Sequence, residues 1–161
     1  MNNIYYNKDN IIESQVMKDK NIIYGARSIK KRLGWFGRET RDYDIYSNTP
    51  RKSALKLERT LDRKSKGDFF YVKPALHKGT FKVMGKGFDG IKNTKDDYGL
   101  VDFTKPTRKI KVNIINGIRY DLLDEEKKNK LKSLKDKKMK FRHEKDKDDL
   151  NRIRLFQKVK F

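Results

Sequence analysis

In the stretch Asp42-Tyr43-Asp44-Ile45 two carboxylates alternate with large aromatic and β-branched side chains, and this period of two constrains the fold more than any other feature of the chain. Along a β-strand successive side chains point to opposite faces, so Asp42 and Asp44 project from one side while Tyr43 and Ile45 point to the other. Two carboxylates about 4 Å apart repel by roughly 4 kcal/mol at an effective dielectric near 20. A strand that keeps them together expects a cation between them, and oxygen-only ligands favour Mg2+ or Mn2+ over zinc. The competing reading is a solvent-facing edge strand with Arg38 and Arg41 as salt partners.

At 161 residues the chain suits one domain, with room for a helical appendage, and is long enough to bury a core. Its 42 Lys and Arg against 22 Asp and Glu give a formal net charge of +20. A polyanion is the natural long-range partner: nucleic acid first, an anionic membrane surface second. There are no cysteines, which excludes disulfides and thiolate chemistry and fits a reducing, cytoplasmic setting. The polar stretch from Met1 to Asn10 has no apolar run of signal-peptide length, and no segment approaches the roughly 20 apolar residues of a membrane span.

Hydrophobic periodicity predicts a short helix over Ile11 to Lys18 behind an Asp9 or Asn10 cap, then a compact strand at Asn21 to Tyr24 broken by Gly25. Ser28 to Leu33 reads as a short helix ended by Gly34, and Gly34 to Gly37 as a loop carrying Trp35 and Phe36. Ser47-Asn48-Thr49-Pro50 is helix-start chemistry for a basic segment with Ala54, Leu57 and Leu61 at helical spacing, closed by Gly67. Phe69 to Lys73, Thr80 to Met84 and Leu100 to Phe103 read as strands, with a polar loop from Gly85 to Asp97. Asn116-Gly117 between two β-branched runs is a strong hairpin signal, because both turn residues need positive φ. From Asp124 onward the chain is charged and helical in pattern, over Glu125 to Lys138 and Glu144 to Gln157.

The order strand, Gly, helix, then a strand with Asp-x-Asp, then a later strand with a third Asp resembles the DNA polymerase β-like nucleotidyltransferase superfamily, most closely its minimal and toxin-type single-domain members. Ile22-Ile23-Tyr24-Gly25-Ala26-Arg27-Ser28 matches the first motif and Asp42 and Asp44 the paired carboxylates, with Asp102 taken as the third and Asp121 as its competitor. Arg142, Lys145-Asp146 and Asp149-Leu150 look like the helix start often seen near the C-terminus of these small relatives. Position 26 departs from the pattern, with Ala where Ser or Gly is usual, and the Gly34 to Gly37 loop lengthens the spacing to Asp42. The resemblance implies catalytic, metal-holding roles for Asp42, Asp44 and Asp102, with two Mg2+ or Mn2+ ions and an NTP as substrate. It implies a nucleotide cradle at Gly25, Ala26, Arg27 and Ser28, where a glycine lets the backbone approach a phosphate and the helix start supplies N–H donors.

Other residues carry two readings each. Trp35 or Phe36 could stack on a nucleobase. His77 could protonate departing pyrophosphate or simply contact a backbone carbonyl, and His143 reads as solvated. Arg27, Arg38 and Lys82 are phosphate contacts or surface charge. The run from Lys127 to Lys140 is a solvated helix face or an RNA-tracking surface.

The resulting expectation is an α+β fold, a small mixed β-sheet with helices packed on one face. Residues 1–123 would form the core and 124–161 a basic helical C-terminal extension. The expected activity is transfer of an NMP from an NTP, ATP included, to a hydroxyl on RNA such as a tRNA end, or on a protein side chain. The alternative is a catalytically inactive relative acting as a basic nucleic-acid-binding or assembly protein, for example in a virion. An antitoxin or assembly partner is a further expectation, and a membrane is not.

Overall fold

The computed structural model describes residues 4–159, and the backbone alone for residues 4–7. The ends of the polar N-terminal stretch and of the C-terminal extension lie outside these. The elements run α1 (Ile4–Asp19), β1 (Ile22–Tyr24), α2 (Gly25–Leu33), a 3-10 turn (Gly34–Phe36), β2 (Tyr43–Tyr46), α3 (Pro50–Ser65), β3 (Phe70–Pro74), β4 (Thr80–Gly85), β5 (Tyr98–Thr104), β6 (Val112–Ile115), β7 (Ile118–Asp121), α4 (Leu123–Lys135), a second 3-10 stretch (Lys137–Arg142) and α5 (His143–Val159). The fold is α+β, built on a seven-stranded mixed sheet of order β3-β4-β5-β2-β1-β7-β6. The pairs β2/β5 and β1/β7 are parallel and the rest antiparallel.

One sheet face carries the core. Ile23, Tyr43, Ile45, Val83, Val101, Phe103 and Tyr120 meet Ile12 and Val16 of α1 and Ala54, Leu57 and Leu61 of α3. The alternation in β2 works as the sequence dictates: Tyr43 and Ile45 are buried in this layer, leaving Asp44 and Tyr46 on the opposite face. A second apolar cluster joins Ile29 and Leu33 of α2 to Ile153 of α5, with Phe36, Leu123 and Phe156 packed against it.

Several boundaries differ from expectation for identifiable reasons. Helix α1 starts well before Asp9 and Asn10, so neither caps it. Lys8 continues the Ile12 and Val16 stripe one turn back, its stem buried and its Nζ 2.7 Å from the Tyr98 hydroxyl and 4.6 Å from that ring's centre. Helix α2 begins at Gly25 itself, directly on the end of β1. Helix α3 starts at Pro50 and stops at Lys66, which adopts the left-handed conformation with φ 56° one residue before the expected Gly67. At the β6–β7 turn Asn116 and Gly117 both have positive φ, at 51° and 80°.

Candidate active site

Strand register sets four side chains in a row across the face opposite the core. Lys82 of β4 pairs with Asp102 of β5, Asp102 with Asp44 of β2, and Asp44 with Tyr24 of β1. The next row on that face is Thr80, Thr104 and Tyr46. Here Thr104 Oγ1 lies 2.9 Å from Thr80 Oγ1 and accepts from the Tyr24 hydroxyl at 3.2 Å, while the Tyr24 and Tyr46 rings stack 3.8 Å apart. These residues floor a cleft of about 520 Å3 walled by Gly25 of α2, Glu126, Asn129 and Lys130 of α4, Arg142 and Asp146, with His77 of the β3–β4 turn at its rim.

The carboxylates in this cleft differ in surroundings. Burial, then the charges of Asp102, Asp42 and Glu126, push Asp44 up to about 7. Asp102 is held by Lys82, whose Nζ lies 3.1 Å from both of its oxygens. Asp42 sits one residue before β2, exposed, at the mouth of the strand. Asp121 lies elsewhere, buried under α2, where it accepts from Ser28 Oγ at 2.6 Å and its backbone carbonyl accepts from the Arg32 guanidinium. Burial followed by a hydrogen bond to Glu126 raises its pKa. Asp102, not Asp121, is therefore the strand neighbour of Asp44.

Gly25 packs directly on Asp44. Its φ is +70°, and a Cβ placed there would lie 2.6 Å from Asp44 Oδ2, so a side chain is excluded by conformation and by space. Its N–H donates to Glu126 Oε1 at 2.6 Å. The glycine that opens the expected cradle thus has its own N–H taken by a carboxylate from α4, a contact that nothing in the spacing of Glu126 signals. Ala26 follows in the first turn of α2, half-buried. Arg27 turns away: its guanidinium lies 4.1 Å from the centre of the Tyr43 ring, donates to the carbonyls of Asp42 and Arg41, and pairs with Asp9 at 3.3 Å. Ser28 spends its hydroxyl on Asp121, under the helix.

The C-terminal motif forms a buried ionic network beside the cleft. Lys130 Nζ, on a residue 4% exposed, lies 3.1 Å from Asp146 Oδ1 and 3.3 Å from Asp149 Oδ2, both carboxylates essentially fully buried. Ser133 and Arg142 add bonds to Asp146, and Arg38 takes both oxygens of Asp149 at 3.1 and 3.3 Å. Burial opposes ionisation of Asp146, but the Ser133 hydroxyl and the Lys130 and Arg142 charges outweigh it and lower its pKa. Arg38 is thus a partner of Asp149, not of Asp42 or a free phosphate contact. His143 donates from Nε2 to the Ser133 carbonyl at 2.9 Å, so it is tied into this network instead of solvated. Trp35 is 82% exposed, stacks on Phe36 at 3.9 Å and lies outside the cleft.

Among the described residues, the acidic triples whose oxygens gather within 4.8 Å of one another are Glu58, Asp62 and Asp68, and Asp89, Asp96 and Asp97. Asp42, Asp44 and Asp102 do not meet that separation. Their donor chemistry nonetheless suits a hard divalent cation: oxygen ligands only, two of them in register, and one with its pKa raised by burial and by the neighbouring carboxylates.

The sequence matches no family model and no curated protein. Solved structures do resemble the fold. The Megavirus polyadenylate synthase superposes with a TM-score of 0.64 at 20% identity, covering 91% of this chain and 31% of that one. JHP933 from Helicobacter pylori superposes with a TM-score of 0.50 at 13% identity, covering 78% of this chain and 54% of that one. The chain thus spans about a third and about half of the lengths of these two proteins. At such identities the likeness speaks for architecture, and by its architecture this chain has a nucleotidyltransferase-like fold.

Proposed function

We propose that the chain is a divalent-metal-dependent nucleotidyltransferase that moves an NMP from an NTP to a hydroxyl of RNA, with a protein hydroxyl as the second choice of acceptor. The observation that carries this reading is the row Lys82, Asp102, Asp44 on the open sheet face, with Gly25 pressed against Asp44. Asp44 and Asp102, joined by Asp42 from the strand mouth, would hold the metal. A divalent ion held there would neutralise triphosphate charge and make the acceptor hydroxyl more acidic.

The chain's own residues supply the rest. With no side chain at Gly25 its backbone lies close against Asp44, and its N–H, which donates to Glu126, becomes available to a phosphate once Glu126 withdraws. Lys82, Lys130 and Arg142 bring positive charge to the cleft. The acceptor oxygen attacks the α-phosphorus in line, its proton passes to a carboxylate of the pair, and the bond to pyrophosphate breaks.

A second reading has its own support. Glu126 on the Gly25 N–H, and carboxylates not gathered within the separation of a preformed triple, suit a nucleotidyltransferase-like protein that binds nucleic acid without catalysis. Incubation with each α-labelled NTP, Mg2+ or Mn2+, and total RNA plus cell protein separates the two. Transfer of label that drops at least about a hundredfold in Asp44→Asn supports the enzyme, in line with losing a group that acts on developing charge. No transfer to any acceptor, with RNA binding retained, moves the assignment to the noncatalytic protein.

A further inference from the structure

A strongly basic concave surface lies along α3, which packs on the core face of the sheet, away from the carboxylates. Arg51, Lys52, Lys56, Arg59 and Arg63 of α3, with Lys105 beyond β5, line a groove of about 950 Å3 whose lining includes no acidic side chain. All six are exposed. Lys56 pairs with Asp19 at 2.7 Å, and among the described residues the other five make no ion pair. Lys52, Lys56, Arg59 and Arg63 follow each other at spacings of four, three and four, which aligns them on one helix face.

We propose that this groove docks the phosphodiester backbone of a single RNA strand and leads its end to the cleft. The stripe from Lys52 to Arg63 is about 16 Å long at the helical rise, about five steps of a nucleic-acid strand at roughly 3.4 Å each. A line of cations along a concave surface fits a line of phosphates. A bilayer would instead favour a face with protruding apolar anchors, and the exposed large apolar side chains of the described residues lie outside this groove. The route to the chemistry is short in structural terms. The N-terminal end of α3 follows Ser47, whose N–H donates to the Thr104 carbonyl, and the N–H of the adjoining Lys105 donates to Gly79. Gly79 borders the α3 groove, while Ala75, Leu76 and His77 of the same turn border the carboxylate cleft. A strand lying along α3 therefore crosses one turn to reach Asp44 and Asp102.

This inference rests on the reading of RNA as acceptor, but its test needs neither NTP nor metal, so the two can fail separately. Binding of a labelled oligouridylate is followed by anisotropy over a salt series, for the native chain, for Lys52→Gln/Arg59→Gln/Arg63→Gln, and for a triple of equal charge on α4, Lys128→Gln/Lys132→Gln/Lys135→Gln. Thermal melting checks that both triples fold. The α3 triple should bind at least tenfold more weakly, with its log–log salt slope reduced by about 2, given about 0.7 per phosphate contact on a single strand, while the α4 triple changes the slope by less than about 1. Equal losses in both triples would mean that net charge alone is responsible, and an unchanged slope in the α3 triple would mean that RNA docks elsewhere. Sedimentation with anionic phosphatidylserine vesicles supplies the remaining arm: α3-dependent vesicle binding without α3-dependent RNA binding would overturn the assignment.

Discussion

Gly25 and Asp44 define the site between them, since one occupies the space the other leaves. With φ at +70° and the Asp44 oxygen 2.6 Å from where a Cβ would sit, Gly25→Ala combines backbone strain with a clash against a charged group. It should cost about 1–3 kcal/mol in thermal or urea unfolding and abolish label transfer. Near-native stability with full transfer would mean that α2 can shift to admit a side chain. Asp44 carries a signed pH dependence. Its folded pKa is raised to about 7, so the carboxyl stabilises the fold fully at a pH below its unfolded value. That contribution declines as pH rises toward 7. Asp44→Asn should therefore melt at the same temperature as the native chain near pH 4 and above it near pH 8 without divalent ions. The difference is at most ~4 kcal/mol at about 1.4 kcal/mol per unit, and a variant less stable at pH 8 would contradict the environment described. The place of Asp44 on the open face was legible because strand alternation buries Tyr43 and Ile45, whereas Asp42 lies one residue before β2, where strand geometry does not fix its side. Lys82 was legible only as a charge, because its partner depends on the β4–β5 register, and Glu126 was not legible at all, because the fold of α4 brings it to Gly25 from 101 residues away.

At the scale of elements, those whose local chemistry and packing agree were readable: β2, the Pro50 start of α3, and the Asn116-Gly117 hairpin. Helix α1 is longer than its sequence pattern implies because Lys8 looks polar in sequence yet is buried by contacts with Tyr98, which depend on tertiary structure. The joining of α4 to α5 was likewise hidden. A lysine-rich segment reads as solvated, yet Lys130 is its buried member, set between Asp146 and Asp149. Removing one partner from a buried ionic set leaves charge uncompensated, so Lys130→Met should cost about 3–5 kcal/mol in urea unfolding. Lys128→Met on the exposed side of the same helix should change stability by less than about 0.5 kcal/mol. Equal effects would show that the network is not what fixes α5.

Across the whole molecule the sheet separates two tasks. One face closes the core under α1 and α3, the other presents the carboxylate row under α4, and the basic stripe on α3 lies outside the core layer. The overall α+β class was within reach of the sequence because the order of strands, glycine and acids resembles that of a known superfamily, whereas the sheet order β3-β4-β5-β2-β1-β7-β6 depends on long-range pairing; the charge of +20 points to a polyanion as the expected partner but to no particular surface. The central claim is that the cleft, and no other acidic cluster, is where a divalent cation belongs. Titration with Mn2+ followed by electron paramagnetic resonance, in the presence of a non-hydrolysable NTP analogue, tests this most directly. The account predicts binding that tightens as pH rises through about 7, because Asp44 must release its proton, and that is lost in Asp44→Asn and in Asp102→Asn but kept in Glu58→Gln and Asp96→Asn. Mn2+ binding that survives Asp44→Asn and Asp102→Asn and disappears in Glu58→Gln or Asp96→Asn would contradict it.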